Sequence, residues 1–116
     1  MAAILRGIYM KLYHNPRCSK SRQALQILQE RNIDFEIIKY LEQGIDKNDL
    51  EILCNLSGII RTNEHEFKNN NIDTSNPNSV KEFLIKFPKL LQRPILIRED
   101  KAVICRPPEQ IITLLP

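Results

Sequence analysis

Between residues 10 and 40 the polarity of the chain changes period twice, and this restricts the folds open to it more than any other feature. Ile8, Met10 and Leu12 alternate with Tyr9, Lys11 and Tyr13, the period of two of a half-buried strand, and the run ends at His14 before the turn pair Asn15-Pro16. In the following SKSRQALQILQERN, the apolar residues Ala24, Leu25, Ile27 and Leu28 recur at helical spacing, and Asn32 supplies a C-terminal stop. Phe35 to Tyr40 then returns to β-branched and aromatic residues. Strand, helix and strand in that order form a βαβ unit, so the two strands are expected to lie parallel.

The rest of the chain reads as a helical insertion followed by a hairpin and a last helix. Asp46, three residues before Asp49, opens a short helix with Leu50, Leu53 and Cys54 on one face, which makes Cys54 a buried thiol. Residues 62–79 are rich in Asn and Asp and predict a polar helix fragment plus loop. Asn76-Pro77 is a cap followed by a first-turn proline, and Val80, Phe83, Leu84 and Phe87 recur at helical spacing behind it. Ile95-Leu96-Ile97 and Ala102-Val103-Ile104 flank a connection of hairpin length and should pair antiparallel. Pro107-Pro108 starts a helix expected to turn Ile111, Ile112, Leu114 and Leu115 inward. The order βαβ, helical insertion, ββα predicts an α/β, thioredoxin-like fold with a mixed central sheet. Residues 10–116 read as a single domain. Met10 opens the patterned region, so residues 1–9 read as a disordered N-terminal extension.

Composition narrows the setting. A chain of 116 residues, 42% hydrophobic and 27% charged, buries one modest core without disulfide staples. A net charge of +3, evenly spread, gives no basic stripe for a nucleic acid. No apolar run approaches the roughly 20 residues that span a bilayer, and MAAILRGIY is too short for a signal-peptide core, so the expected location is the cytoplasm. Cys18, Cys54 and Cys105 are odd in number and widely spaced, with only His14 and His65 as further soft ligands. Neither a disulfide framework nor a metal site is supported.

Cys18 is the residue whose surroundings point to chemistry. It lies between a strand and a helix N-terminus, where unpaired N–H groups and the positive end of the helix dipole favour a thiolate. Arg17, Lys20 and Arg22 add positive charge, and the Ser21 hydroxyl is placed to donate to the sulfur. His14 has two readings, a cationic neighbour of the thiolate or a hydrogen-bonding brace for the loop. The same N–H groups and cations suit an anion, so nucleophile and oxyanion would meet at one spot. Ser21 stands where a thioredoxin-like motif carries its second cysteine, so the resolving thiol is expected to be external. Arg93-Pro94 is a candidate cis bond that would bring Arg93 near the site, and Arg106 follows the partner strand to the same end of the sheet. Arginine suits tetrahedral oxyanions because its fork donates two parallel hydrogen bonds.

From Lys11 to Pro116 the sequence resembles the glutaredoxin-coupled arsenate reductase (ArsC) family. The residues that carry the resemblance are Tyr13-His14-Asn15-Pro16-Arg17-Cys18 with Ser21-Arg22, Tyr40-Leu41-Glu42, Arg93-Pro94-Ile95, and Cys105-Arg106-Pro107-Pro108-Glu109. The resemblance implies Cys18 as catalytic thiol and Arg61, Arg93 and Arg106 as ligands of the arsenical. It also implies a cycle in which the thiolate attacks arsenate, glutathione adds to the adduct, and glutaredoxin regenerates the cysteine. Glutathione is then a co-substrate, with no bound cofactor, no nucleic acid or membrane partner, and a monomeric protein.

Two other functions share these residues. One is an ArsC-like thiol oxidoreductase acting on another substrate. The other is a redox-responsive regulator like the Spx proteins, which share the fold and bind RNA polymerase; Ser21 in place of a second switch cysteine argues against it.

Overall fold

The computed structural model describes residues 10–115. They fall into two compact units, residues 10–39 with 93–115, and Tyr40–Gln92. The extension expected over residues 1–9, and the part of the first strand at Ile8 and Tyr9, lie outside the described residues.

The first unit is a four-stranded sheet of β1 (Met10–Tyr13), β2 (Glu36–Ile38), β3 (Ile95–Arg98) and β4 (Lys101–Ile104), in the order β2-β1-β3-β4. Helix α1 (Ser19–Glu30) joins β1 to β2, which pair parallel with Leu12 opposite Ile37. β3 is antiparallel to both β1 and β4, with Leu96 opposite Leu12 on one side and Val103 on the other. The sheet is therefore mixed, as the element order implies. Strand alternation turns Met10, Leu12 and Leu96 to one face. There they pack with Ala24 and Leu28 from α1, Cys105, and Ile111, all fully buried. Burying a side chain of the Leu, Ile or Met class contributes about 1.5–3 kcal/mol, so this cluster holds the helix on the sheet. Asn32 ends α1 with a φ of 54°, a conformation that Asn tolerates better than bulkier residues.

Two expectations are corrected in this part of the chain. The last helix forms as a 3-10 helix, Pro108–Leu114. At three residues per turn, Pro108, Ile111 and Leu114 fall on one line. Pro108 and Ile111 are buried, Leu114 and Leu115 pack on the core, and Ile112, expected inward, is 45% exposed. The second strand is also shorter than its β-rich composition suggests. It ends at Ile38, and Tyr40 opens a helix of the second unit, where it is buried.

The second unit carries α2 (Tyr40–Gln43), α3 (Lys47–Leu53), α4 (His65–Lys68), α5 (Pro77–Lys86) and a 3-10 turn, Pro88–Leu90. The Asp46 carboxylate accepts from the Asn48 N–H at 2.9 Å to cap α3. Asn76 caps α5 in the same way through the Asn78 N–H at 2.9 Å, with Pro77 at the first helical position. Val80 and Leu84 are buried, as are Leu50, Leu53 and Cys54. An isolated bridge between Ile60 and Leu91 ties the ends of the unit together, through Arg61 N–H to Leu90 O at 2.8 Å and Gln92 N–H to Ile59 O at 2.7 Å. No helix among the described residues is long and apolar enough to cross a membrane.

Candidate active site

Strand order decides what meets Cys18. Because β1 is antiparallel to β3, the C-terminal end of β1 lies beside the N-terminal end of β3, with Tyr13 opposite Ile95 and Ile95 opposite Ile104. The loop leaving Tyr13 thus shares one end of the sheet with Arg93, just before β3, and Arg106, just after β4.

That loop is a tight turn. The Cys18 N–H donates to Asn15 O at 3.0 Å, and Asn15 Oδ1 accepts from the Arg17 N–H at 3.0 Å. Asn at the first position and Pro at the second suit this geometry. The turn delivers Cys18 in an extended conformation as the N-cap of α1, with φ −92° and ψ 121°. No side-chain cap bond of strict geometry closes on the sulfur, yet the helix end acts on it electrostatically. Burial raises the Cys18 pKa and is the largest single effect. The Ser21 N–H, the Arg93 guanidinium through a hydrogen bond and through its charge, and the Lys20 N–H together outweigh it. The thiol therefore ionises below its ordinary value. Cys18 is also partly exposed, so the sulfur is open to reaction.

The other residues singled out above divide between contact and support. Arg93 touches the sulfur, its Nε is buried without a hydrogen-bond partner, and its bond to Pro94 is cis. Arg106 is exposed, and its Nη1 donates to the Arg93 carbonyl at 3.0 Å. The bond from Arg106 to Pro107 is cis as well. Ser21 is a correction. Its fully buried hydroxyl lies 2.6 Å from His14 Nδ1 and accepts from the Asn15 N–H at 3.0 Å, so it braces the loop, while its backbone N–H serves the sulfur. His14 is resolved in favour of the brace. Burial first, then the charges of Lys39 and Arg22, lower its pKa and keep the imidazole neutral near pH 7. Arg22 also supports the loop, donating from Nη1 to Pro16 O at 3.0 Å. Arg61 belongs to the second unit, where its guanidinium is ion-paired with Glu64.

The remaining thiols are poor nucleophiles. Cys105 is fully buried, which pushes its pKa up to about 12, and burial followed by the Glu51 charge raises that of Cys54. Asn15 was not singled out as a site residue, although it shapes the turn that presents Cys18. The Asn-Pro pair carried that signal, since Asn readily bonds the backbone two residues on.

Known proteins share the sequence pattern and the fold of this chain. The family model described as the ArsC family matches residues 13–114. An arsenate reductase of Neisseria meningitidis serogroup B is 38% identical, over 91% of this chain and 97% of the relative. The uncharacterised protein YfgD of Escherichia coli K12 is 36% identical, over 91% of this chain and 96% of the relative. The structure of an arsenate reductase from Vibrio cholerae superposes with a TM-score of 0.82 at 32% identity, covering 94% of this chain and 99% of that one. It shares the thioredoxin-like architecture. With the motif residues, the sheet order and the sequence match all in agreement, the chain belongs to the ArsC family.

Proposed function

We propose that the protein reduces arsenate to arsenite through a covalent adduct on Cys18, with glutathione as co-substrate and glutaredoxin completing the cycle. The observation that carries this reading is the setting of the Cys18 sulfur, which combines a favoured thiolate with anion-binding groups. The helix N–H groups of Ser21 and Lys20 and the Arg93 guanidinium all face it. The relatives from Neisseria meningitidis and Haemophilus influenzae that bear the name arsenate reductase support arsenate as the oxyanion.

In this cycle the Cys18 thiolate attacks arsenic(V), an S–As bond forms, and one arsenate oxygen leaves as water. The glutathione thiol then displaces a second oxygen, again as water. A glutaredoxin thiolate attacks the glutathione sulfur, so a disulfide forms and the As–S bond to glutathione breaks. Its electron pair stays on arsenic, which becomes arsenic(III). Water releases arsenite and returns Cys18 as the thiolate. One disulfide carries away the two electrons the reduction requires.

Arg93 and Arg106 hold preorganised positive charge where the oxyanion carries its negative charge. An external thiol is needed because Ser21 occupies the local resolving position and Cys105 titrates only near 12. Dependence on reduced thiols fits a reducing compartment such as the cytoplasm.

The test is arsenite formation from arsenate with glutathione, glutaredoxin and an NADPH-linked recycling system, comparing wild type with Cys18→Ser. Turnover in the wild type and its loss in the variant are expected. A wild type that makes no arsenite, while Cys18 is still selectively alkylated at low pH, would assign the activated thiol to another substrate.

A further inference from the structure

The charged side chains of the first unit are sorted between the two ends of its sheet. At the Cys18 end, Arg17 lies in the loop after β1, Lys20 and Arg22 lie in the first turn of α1, and Arg106 follows β4. Arg17, Arg22 and Arg106 are exposed and Lys20 is half-buried. Arg22 and Arg106 donate to the backbone carbonyls of Pro16 and Arg93, each at 3.0 Å, and among the described residues none of the four cations is ion-paired. At the opposite end the signs alternate. Glu30 is followed by Arg31 where α1 closes, and Glu99-Asp100 turns the chain between Arg98 and Lys101.

Unpaired like charges repel one another, whereas an oppositely charged surface that covers them gains on approach and on contact. The groups that act on the sulfur are the α1 N–H groups and Arg93. Arg17, Lys20 and Arg22 lie outside that set, and Arg106 borders it on the β4 side. Because β3 separates β1 from β4, the strands that lead to these cations are about 10 Å apart. That breadth matches a patch of protein surface and exceeds one tetrahedral anion. We propose that Arg17, Lys20 and Arg22, with Arg106 at the margin, are an electrostatic docking surface for an acidic face around the thiol of glutaredoxin. This rests on the proposed function, in which a protein thiol must come into line with a glutathione sulfur held at Cys18. Such an approach brings the surface around the partner's thiol against this end of the sheet.

The experiment follows thiol–disulfide exchange without arsenic. The full chain is treated with oxidised glutathione, so that the Cys18 thiolate takes one glutathionyl group and releases one glutathione thiolate. A glutaredoxin with carboxylates beside its thiol is then added. Its thiolate attacks the glutathione sulfur, a disulfide forms between the two, and the Cys18 thiolate leaves. The second-order rate should fall steeply with salt in the wild type. In Arg17→Glu/Lys20→Glu it should be about five- to tenfold lower at low ionic strength and should converge on the wild type near 1 M salt, where charges are screened within about 3 Å. The Arg17 N–H bond to Asn15 Oδ1 is a backbone bond and survives the substitution. Arg31→Glu/Lys101→Glu, with the same change in net charge at the opposite end, should alter the rate by less than about twofold. Replacing the glutaredoxin carboxylates by Lys should reverse the order of wild type and Arg17→Glu/Lys20→Glu. A wild-type rate indifferent to salt, a deficit that persists at 1 M salt, or equal losses from the two ends each overturns the docking surface. So does an equal loss when free glutathione or uncharged dithiothreitol is the attacking thiol, since the effect would then lie at Cys18 itself. Arsenite formation is read separately, so a wild type that exchanges as expected but reduces no arsenate would sink the reductase reading and leave the docking surface standing.

Discussion

Arg106 donates from Nη1 to the backbone carbonyl of Arg93 at 3.0 Å, so the arginine that touches the Cys18 sulfur is held in place by a second arginine from across the hairpin. Substituting either by Ala should lower kcat/KM for arsenate by about 10- to 1000-fold, the range for losing a preorganised charge donor. Because they share a contact, the double variant should lose less than the product of the single losses. Steady-state kinetics on the three variants checks this. Unchanged rates in both single variants would place the anion elsewhere, and strictly multiplicative losses would mean the Arg106–Arg93 contact carries no coupling.

The thiols should separate sharply by reactivity. Under native conditions near neutral pH, iodoacetamide should label Cys18 and leave Cys54 and Cys105 untouched, since burial raises both their pKa values, that of Cys105 to about 12. The pH midpoint of Cys18 alkylation should lie below that of free cysteine, and Arg93→Ala should move it upward, because that guanidinium favours the thiolate by hydrogen bond and by charge. Peptide mapping by mass spectrometry across a pH series measures both. An Arg93→Ala midpoint equal to the wild type would remove Arg93 from the activation of the thiol.

Local rules were enough for much of the fold. Asp46 and Asn76-Pro77 cap α3 and α5 as their sequence positions imply, because a cap depends on residues within one turn. The hairpin at Ile95 and Ala102 and the parallel β1–β2 pair were legible for the same reason, each set by a short run and its connection. Ile112 was not legible, since an apolar pair at 111 and 112 fits an α-helical face, and only the tighter 3-10 winding turns Ile112 outward. The direction of the Ser21 hydroxyl was hidden as well. It turns to His14 because the end of β1 lies against the first turn of α1, a tertiary placement that no spacing encodes. Arg93 was a candidate from its motif, but its contact with the sulfur depends on β3 pairing beside β1.

Ser21 supports the loop through two buried bonds at once, to His14 Nδ1 at 2.6 Å and from the Asn15 N–H at 3.0 Å. Ser21→Ala leaves both partners without their oxygen in a fully buried position. Leaving buried polar groups unpaired costs about 1–3 kcal/mol, so the urea midpoint should fall accordingly. Ser21→Thr restores the hydroxyl and should recover part of the loss. An Ala variant as stable as the wild type would show that water or a loop shift satisfies His14 and Asn15 instead.

The pairing of His14 with Ser21 also predicts how stability changes with pH. His14 is 5% exposed, and burial, then Lys39 and Arg22, lower its pKa in the folded chain. The unfolded chain takes up its proton near the ordinary histidine value of about 6.5, so below that pH it binds more protons than the folded one. The contribution of neutral His14 is therefore fully present above the ordinary value and is lost as pH falls through it toward the lower folded pKa. Urea midpoints measured at about pH 7.5, 6.5 and 5.5 should decline through this window in the wild type, and the decline should flatten in His14→Gln. Glu66 and Asp73 have lowered pKa values too, through backbone and side-chain hydrogen bonds respectively, but as carboxylates they act at more acid pH. A slope that persists in His14→Gln would assign the pH response to other groups, and a flat wild-type midpoint would mean that His14 binds its proton equally well in both states.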